Sequence, residues 1–147
     1  MKLKKIIIFY PSFERGGVEI ILMNLINHFL KKKVKIILIS NVPKKKLPKN
    51  NNFLQINPNY KTIKFFSDRL FKAVKAAKEL YKILNASNPK ETIIFSLQSS
   101  SLAILVSKIN NYPIIVRNAE DPIYSTIYGD NKFLSIFAIL SKILTYN

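Results

Sequence analysis

Five short apolar runs, dominated by isoleucine, punctuate this sequence: LKKIIIFY (3–10), VKIILIS (34–40), FLQI (53–56), ETIIFSL (91–97) and PIIVR (113–117). The first is continuous where a half-solvated strand would alternate apolar and polar residues, so it reads as a strand covered on both faces. Longer segments of helical period lie between and after the runs. Val18, Ile21, Leu22, Leu25, Ile26 and Phe29 recur at helical spacing, with Glu19, Asn24, Asn27 and His28 mostly between them. From Ser67, a residue suited to an N-cap, Leu70, Val74, Ala77, Tyr81 and Leu84 form a second stripe, opposite Lys72, Lys75, Lys78 and Lys82. SSLAILVSKI (100–109) predicts a short helix and NKFLSIFAILSKILTY (131–146) a last one. The proline-marked stretch NVPKKKLPKNNN (41–52) reads as a loop in which Lys44, Lys45 and Lys46 are solvated.

The order β-α-β-loop-β-α-β-α-β-α implies the α/β class. It predicts a Rossmann-like three-layer α/β/α domain with a mainly parallel sheet of about five strands and right-handed crossovers. The length of 147 residues suits one domain, 1–147. The sequence stops directly after a helical pattern, where a six-stranded Rossmann domain places its last strand. Two readings fit that ending: a five-stranded flavodoxin-like domain, or a piece of a longer protein.

Composition narrows the chemistry. There is no cysteine, which removes disulfides and thiolate metal sites and is compatible with a reducing cytoplasm. The single histidine, His28, speaks against a histidine-based metal centre or a serine–histidine pair, and its place near a helix end suits a surface residue. No metal is expected. The formal charge of +16 favours an anionic partner, whether nucleic acid, a membrane surface or a phosphorylated substrate. Lysine supplies 21 of the 24 basic residues, and isoleucine and asparagine are also abundant, the bias expected of an AT-rich genome. Arginine, the better fork for phosphates and bases, stands only at Arg15, Arg69 and Arg117. The N-terminal MKLKKIIIFYPS has a basic start, but its apolar run is too short for a signal peptide. Nothing reaches the roughly 18 uninterrupted apolar residues of a membrane span, since Lys142 breaks the nearest approach.

Gly16 and Gly17 are two of only three glycines, and they sit side by side between the first strand and the first helix. In open parallel sheets, ligands bind beyond the carboxyl ends of the strands. Glycine lets backbone approach a ligand closely, and the helix that follows offers free N–H groups to an anion such as a diphosphate. A tight turn is the plainer alternative. Neither the GxGxxG dinucleotide pattern nor the GxxxxGK[ST] phosphate loop occurs.

The segment PSFERGGVEIILMNL resembles the first loop and helix of retaining glycosyltransferases of family 4, which have the two-domain GT-B fold. Gly16, Gly17, Val18 and Glu19 match that family's Gly-Gly-(Val/Ala)-Glu segment. IIVRNAEDPIYS (114–125) resembles its Arg-Asn stretch after the fifth strand, and the likeness spans essentially the whole chain. The resemblance implies the N-terminal, acceptor-side domain of an enzyme that moves a sugar from a nucleotide-diphosphate-sugar donor, with retention. The acceptor would be a glycan or lipid-linked molecule of cell-envelope polysaccharide synthesis. The nucleotide sugar is a substrate, and no cofactor is implied.

The resemblance also implies roles. Gly16 and Gly17 would approach the donor, while Glu19 would favour the helix N-terminus. Arg117 would orient a phosphate or the acceptor, or else pair with Glu120 or Asp121. Asn118 would bond a sugar hydroxyl or shape a turn. Glu120 invites an acid–base or acceptor role, and solvation is its alternative. Ser99, with Ser100 and Ser101, would touch the acceptor or cap a helix. The histidine that many members carry near this loop is missing here. The family's donor-binding C-terminal domain is not found in these 147 residues, so the chain alone is expected to be inactive. Lys72, Lys75, Lys78 and Lys82 are candidates for a basic face toward the inner surface of the cell membrane, with an ordinary solvated face as the alternative. A competing expectation is a non-enzymatic basic α/β module that binds nucleic acid or a partner protein, although no RNA-binding motif occurs.

Overall fold

Isoleucine and valine are stiff at χ1 and pack well on a pleated surface, so the apolar runs become strands. A computed structural model describes residues 3–11, 17–58 and 68–117. The elements follow in the order β1 (Lys5–Phe9), α1 (Gly17–Lys31), β2 (Lys35–Ile39), β3 (Phe53–Ile56), α2 (Asp68–Asn85), β4 (Thr92–Ser96), α3 (Ser100–Ile109) and β5 (Ile114–Val116). Single 3-10 turns occupy Lys44–Lys46 and Pro89–Glu91. Ser67 and the helix expected at 131–146 lie outside the described residues.

The sheet is parallel throughout, in the order β3-β2-β1-β4-β5. This is the order of the first five strands of a Rossmann sheet, and the flavodoxin-like order, 2-1-3-4-5, is not adopted. Phe9 pairs in register with Ile39 and with Ser96, so the carboxyl ends of β2, β1 and β4 are level. Strand order reverses between β1 and β4, which opens the binding position of such sheets at their carboxyl ends.

Alternation along the strands divides the core in two. Ile6, Ile8, Tyr10, Ile36 and Leu38 pack with Leu22 and Ile26 of α1 on one face. Ile7, Phe9, Ile37, Ile39 and Ile94 pack with α2 and with Ala103 of α3 on the other. Burying each such isoleucine or leucine contributes about 1.5–3 kcal/mol. The layers are therefore α1, sheet, and α2 with α3, as the sequence predicts.

The buried stripe of α2 departs from the expected one at Val74 and Tyr81. Ala73, Ala76, Ala77, Leu80 and Leu84 are buried, whereas Val74 and Tyr81 are 51% and 45% exposed. Ala77 and Leu84 were correctly placed, but three small alanines bring the helix against the sheet and rotate Val74 and Tyr81 to its flank. The same rotation leaves Lys72 half-buried at the other flank, while Lys75, Lys78 and Lys82 are exposed.

Two helices end without glycine. Beyond α1, Lys33 takes φ 56. There, Lys33 N–H donates to Leu30 O and Val34 N–H to Phe29 O, the paired bonds of a Schellman turn. Beyond α3, Asn111 takes φ 56 and the same two bonds recur, to Lys108 O and Ser107 O. Val34 and Tyr112, the residues that follow, are buried as the motif requires. The Tyr112 hydroxyl lies 2.6 Å from both Leu84 O and Ser87 O, donating to carbonyls at the end of α2.

Candidate functional site

The site is built on the level carboxyl edge of β2, β1, β4 and β5. Backbone bonds hold that edge together: Tyr10 N–H donates to Ile39 O, Leu97 N–H to Phe9 O, and Arg117 N–H to Ser96 O at 2.9 Å. The turns that leave it are made possible by small polar residues. Ser40 and Ser96 are fully buried. Ser40 Oγ accepts from Val42 N–H, and Ser96 Oγ donates to Ser100 Oγ at 3.1 Å. Each hydroxyl thus satisfies a chain reversal beneath the edge.

Gly17 opens α1 directly beyond β1. It is exposed, and a Cβ placed on it would meet nothing within 4 Å among the described residues. Its φ lies outside the left-handed range. The turn alternative concerns Gly16 and Gly17 together and lies partly outside the described residues. The contrast with the rest of the backbone is informative, because the three described non-glycine residues with positive φ are Lys33, Ser99 and Asn111. The chain places ordinary residues where glycine would relieve strain, and glycine where the described fold asks for none. Gly16 lies outside the described residues.

Ser99 stands at the N-cap position of α3, but its side chain makes no capping bond. Its φ of 54° and ψ of 43° are left-handed, a conformation that costs a non-glycine residue roughly 1–2 kcal/mol. Such strain concentrates at functional sites. The expected capping role is thus realised in position only. The half-buried hydroxyl belongs to the same edge as Gly17, across the β1–β4 reversal.

Arg117 follows β5 at the same edge, as expected, and is half-buried. Among the described residues no hydrogen-bond partner reaches its buried Nη1 atom. Asn118, Glu120 and Asp121 lie outside the described residues, so the expectations placed on them are neither joined to nor separated from Arg117.

Sequence reasoning missed Lys46. The loop of Lys44, Lys45 and Lys46 is not simply solvated, because Lys46 Nζ meets Glu19 Oε1 at 2.6 Å with both side chains more than half buried. The pair ties the β2–β3 connection to the first turn of α1. Gln55 fixes the same connection from below, donating from Nε2 to Ser40 O and Val42 O. Glu19 accordingly has two structural tasks: it complements the helix N-terminus and it anchors a neighbouring loop. The signal was present only as one acid and one base 27 positions apart, which no local pattern links.

Of the α2 lysines, Lys75, Lys78 and Lys82 are exposed and Lys72 is half-buried. Lys82 pairs with Glu79 at 2.8 Å, and Lys75 Nζ stands 5.4 Å from the centre of the Phe71 ring. No helix among the described residues is long and apolar enough to cross a membrane. Compared with models of known families, the chain matches none, and a search of curated proteins finds no matching relative.

Proposed function

We infer that this chain is the acceptor-side domain of a retaining glycosyltransferase, the N-terminal half of a GT-B fold resembling family 4. The observation that carries this reading is Gly17: a glycine with no positive φ and with no described atom within 4 Å of an added Cβ, exposed at the carboxyl edge next to the strand-order reversal. Bare backbone there admits a bulky anion to the N–H groups that open α1. A nucleotide-diphosphate sugar has that chemistry. The Gly-Gly-Val-Glu segment and the Arg-Asn pair at 117–118 give the reading its family.

In this proposal Gly16 and Gly17 border the donor diphosphate, and Arg117 offers a guanidinium to a phosphate or to the acceptor. Ser99 and Asn118 face the acceptor's hydroxyls, with Glu120 in the same loop. The nucleotide itself is held by a second domain, in cis or in trans. The acceptor is a glycan or lipid-linked precursor of a cell-envelope polysaccharide at the inner face of the membrane.

The test is to supply the chain with that second domain and to screen nucleoside-diphosphate sugars for thermal stabilisation and for diphosphate release. The reading requires at least one donor that raises the melting temperature and turns over, with both responses weakened by Gly17→Val. If no donor does either, the transferase assignment fails. If random duplex DNA alone stabilises the chain, the non-enzymatic basic module takes its place.

A further inference from the structure

The amino edge of the sheet, at the far end from Gly17, gathers a dense group of exposed lysines. One turn supplies four: Lys31 ends α1, Lys32 and Lys33 form the Schellman turn, and Lys35 opens β2. Lys4 leads into β1 and Lys90 into β4, and both are exposed. Backbone bonds join these segments, with Lys35 N–H donating to Lys4 O and Lys4 N–H to Glu91 O, each at 3.0 Å. The lysines are therefore fixed neighbours. Glu91 is the one acid in these described turns, and Lys4 already holds it at 2.6 Å. The crowding reaches Lys5, which pairs in register with Lys35. Burial, then the Lys35 charge, push the Lys5 ammonium below its usual range, while Glu91 opposes them.

An apolar side chain stands at the same end. Ile109 closes α3, is 63% exposed, and follows the exposed Lys108. Its turn is locked to the others through Tyr112, whose hydroxyl reaches Ser87 O, and through Lys5, whose Nζ donates to Ser87 Oγ at 2.9 Å. No arginine and no exposed phenylalanine or tyrosine occurs in these described turns. Nucleic-acid surfaces favour both, arginine for its fork and aromatic rings for stacking. Point-charge ammoniums along the same edge as a protruding isoleucine match a different partner, one with anionic headgroups above a hydrocarbon layer.

We propose that the amino edge is a docking surface for an anionic lipid bilayer, with the lysines of the α1–β2 turn on headgroup phosphates and Ile109 at the acyl boundary. This does not rest on the transferase reading. Docked in this way, the carboxyl edge stands at least about 17 Å from the headgroups, the length of a five-residue strand. An acceptor used there must extend away from the bilayer.

The experiment measures partitioning of the chain onto phosphatidylcholine vesicles with and without phosphatidylglycerol. A triple variant Lys32→Gln, Lys33→Gln, Lys35→Gln is compared with Lys75→Gln, Lys78→Gln, Lys82→Gln, which has the same net charge. At about fivefold per lysine, the first should bind anionic vesicles about a hundredfold more weakly. The second should stay within a few-fold of the parent, and Ile109→Ser should weaken binding severalfold with no change of charge. All the substituted residues are exposed, and circular dichroism checks that the fold is kept. Equal losses in the two triples, or a larger loss from α2, would overturn the proposal. So would full binding by Ile109→Ser, or displacement from vesicles by random duplex DNA at equal phosphate.

Discussion

The two ends of this sheet solve opposite problems with different residues. At the amino edge, strands and turns are closed by side chains: Tyr112 reaches the carbonyls of Leu84 in α2 and Ser87 just past it, Lys5 reaches Ser87, and Lys4 holds Glu91. At the carboxyl edge the stitching is small and buried, through Ser40, Ser96 and backbone bonds, and the upper surface is left to Gly17, Ser99 and Arg117. Positive φ occurs at both ends with different consequences. Lys33 and Asn111 complete Schellman turns, where the strain is offset by two hydrogen bonds and a buried neighbour. Ser99 has no capping bond to offset its strain. One end is finished as structure, and the other keeps backbone that the described fold does not need in that form.

The sharpest way to break this contrast is Gly17→Val in the two-domain assay that the proposed function calls for. A side chain intruding on backbone donors should lower turnover about a hundredfold, the scale of losing one such donor to a charged group. Thermal melting should shift little, because nothing described lies within 4 Å of the added carbon. A large loss of stability with proportionate activity would make Gly17 structural after all, and the two ends alike.

Tyr112→Phe probes the closed end and should cost about 1–3 kcal/mol in denaturant unfolding, since it strands carbonyls at the end of α2. Burial pushes the Tyr112 phenol above its ordinary value of 10.0. Its contribution is therefore fully present below pH 10 and is lost as pH rises through the raised value. Parent and variant stabilities should accordingly converge in alkali. A gap that persists there would exclude the phenol proton as the cause.

Ser99→Gly removes left-handed strain and should stabilise the chain by about 1 kcal/mol. Lys33→Gly should do the same at the other end. On the proposed function a turnover assay separates them: Ser99→Gly should reduce turnover while Lys33→Gly leaves it unchanged. Equal activities would show that the Ser99 conformation is incidental. The smallest effect is expected from Lys46→Met, which breaks the half-buried pair with Glu19 at a cost of at most about 1 kcal/mol. Its clearest readout is faster amide exchange in the Lys44–Lys46 turn than in α2.

Much of the scaffold was legible in the residues. FLQI at 53–56 and SSLAILVSKI at 100–109 coincide with β3 and α3, and the other described strands fall within a residue or two of the apolar runs. The serines at 99–101 and Arg117 were correctly assigned to one edge, because each follows a parallel strand and such strands all end on the same side. What escaped was long-range. Nothing local marks Lys46 as the partner of Glu19, or turns Val74 and Tyr81 away from the core. The crowding at the amino edge was equally hidden, since Lys4, Lys35 and Lys90 are distant in sequence and become neighbours only through strand pairing.

Period and side-chain chemistry alone determined the strands, the helices and their alternation, since each depends on neighbours a few positions apart. The choice of the Rossmann order over the flavodoxin-like one, the side chains that α2 buries and the gathering of distant lysines at the amino edge were decided by tertiary structure. Those properties depend on which distant segments share a surface, and that is settled by packing all the apolar faces against one sheet at once.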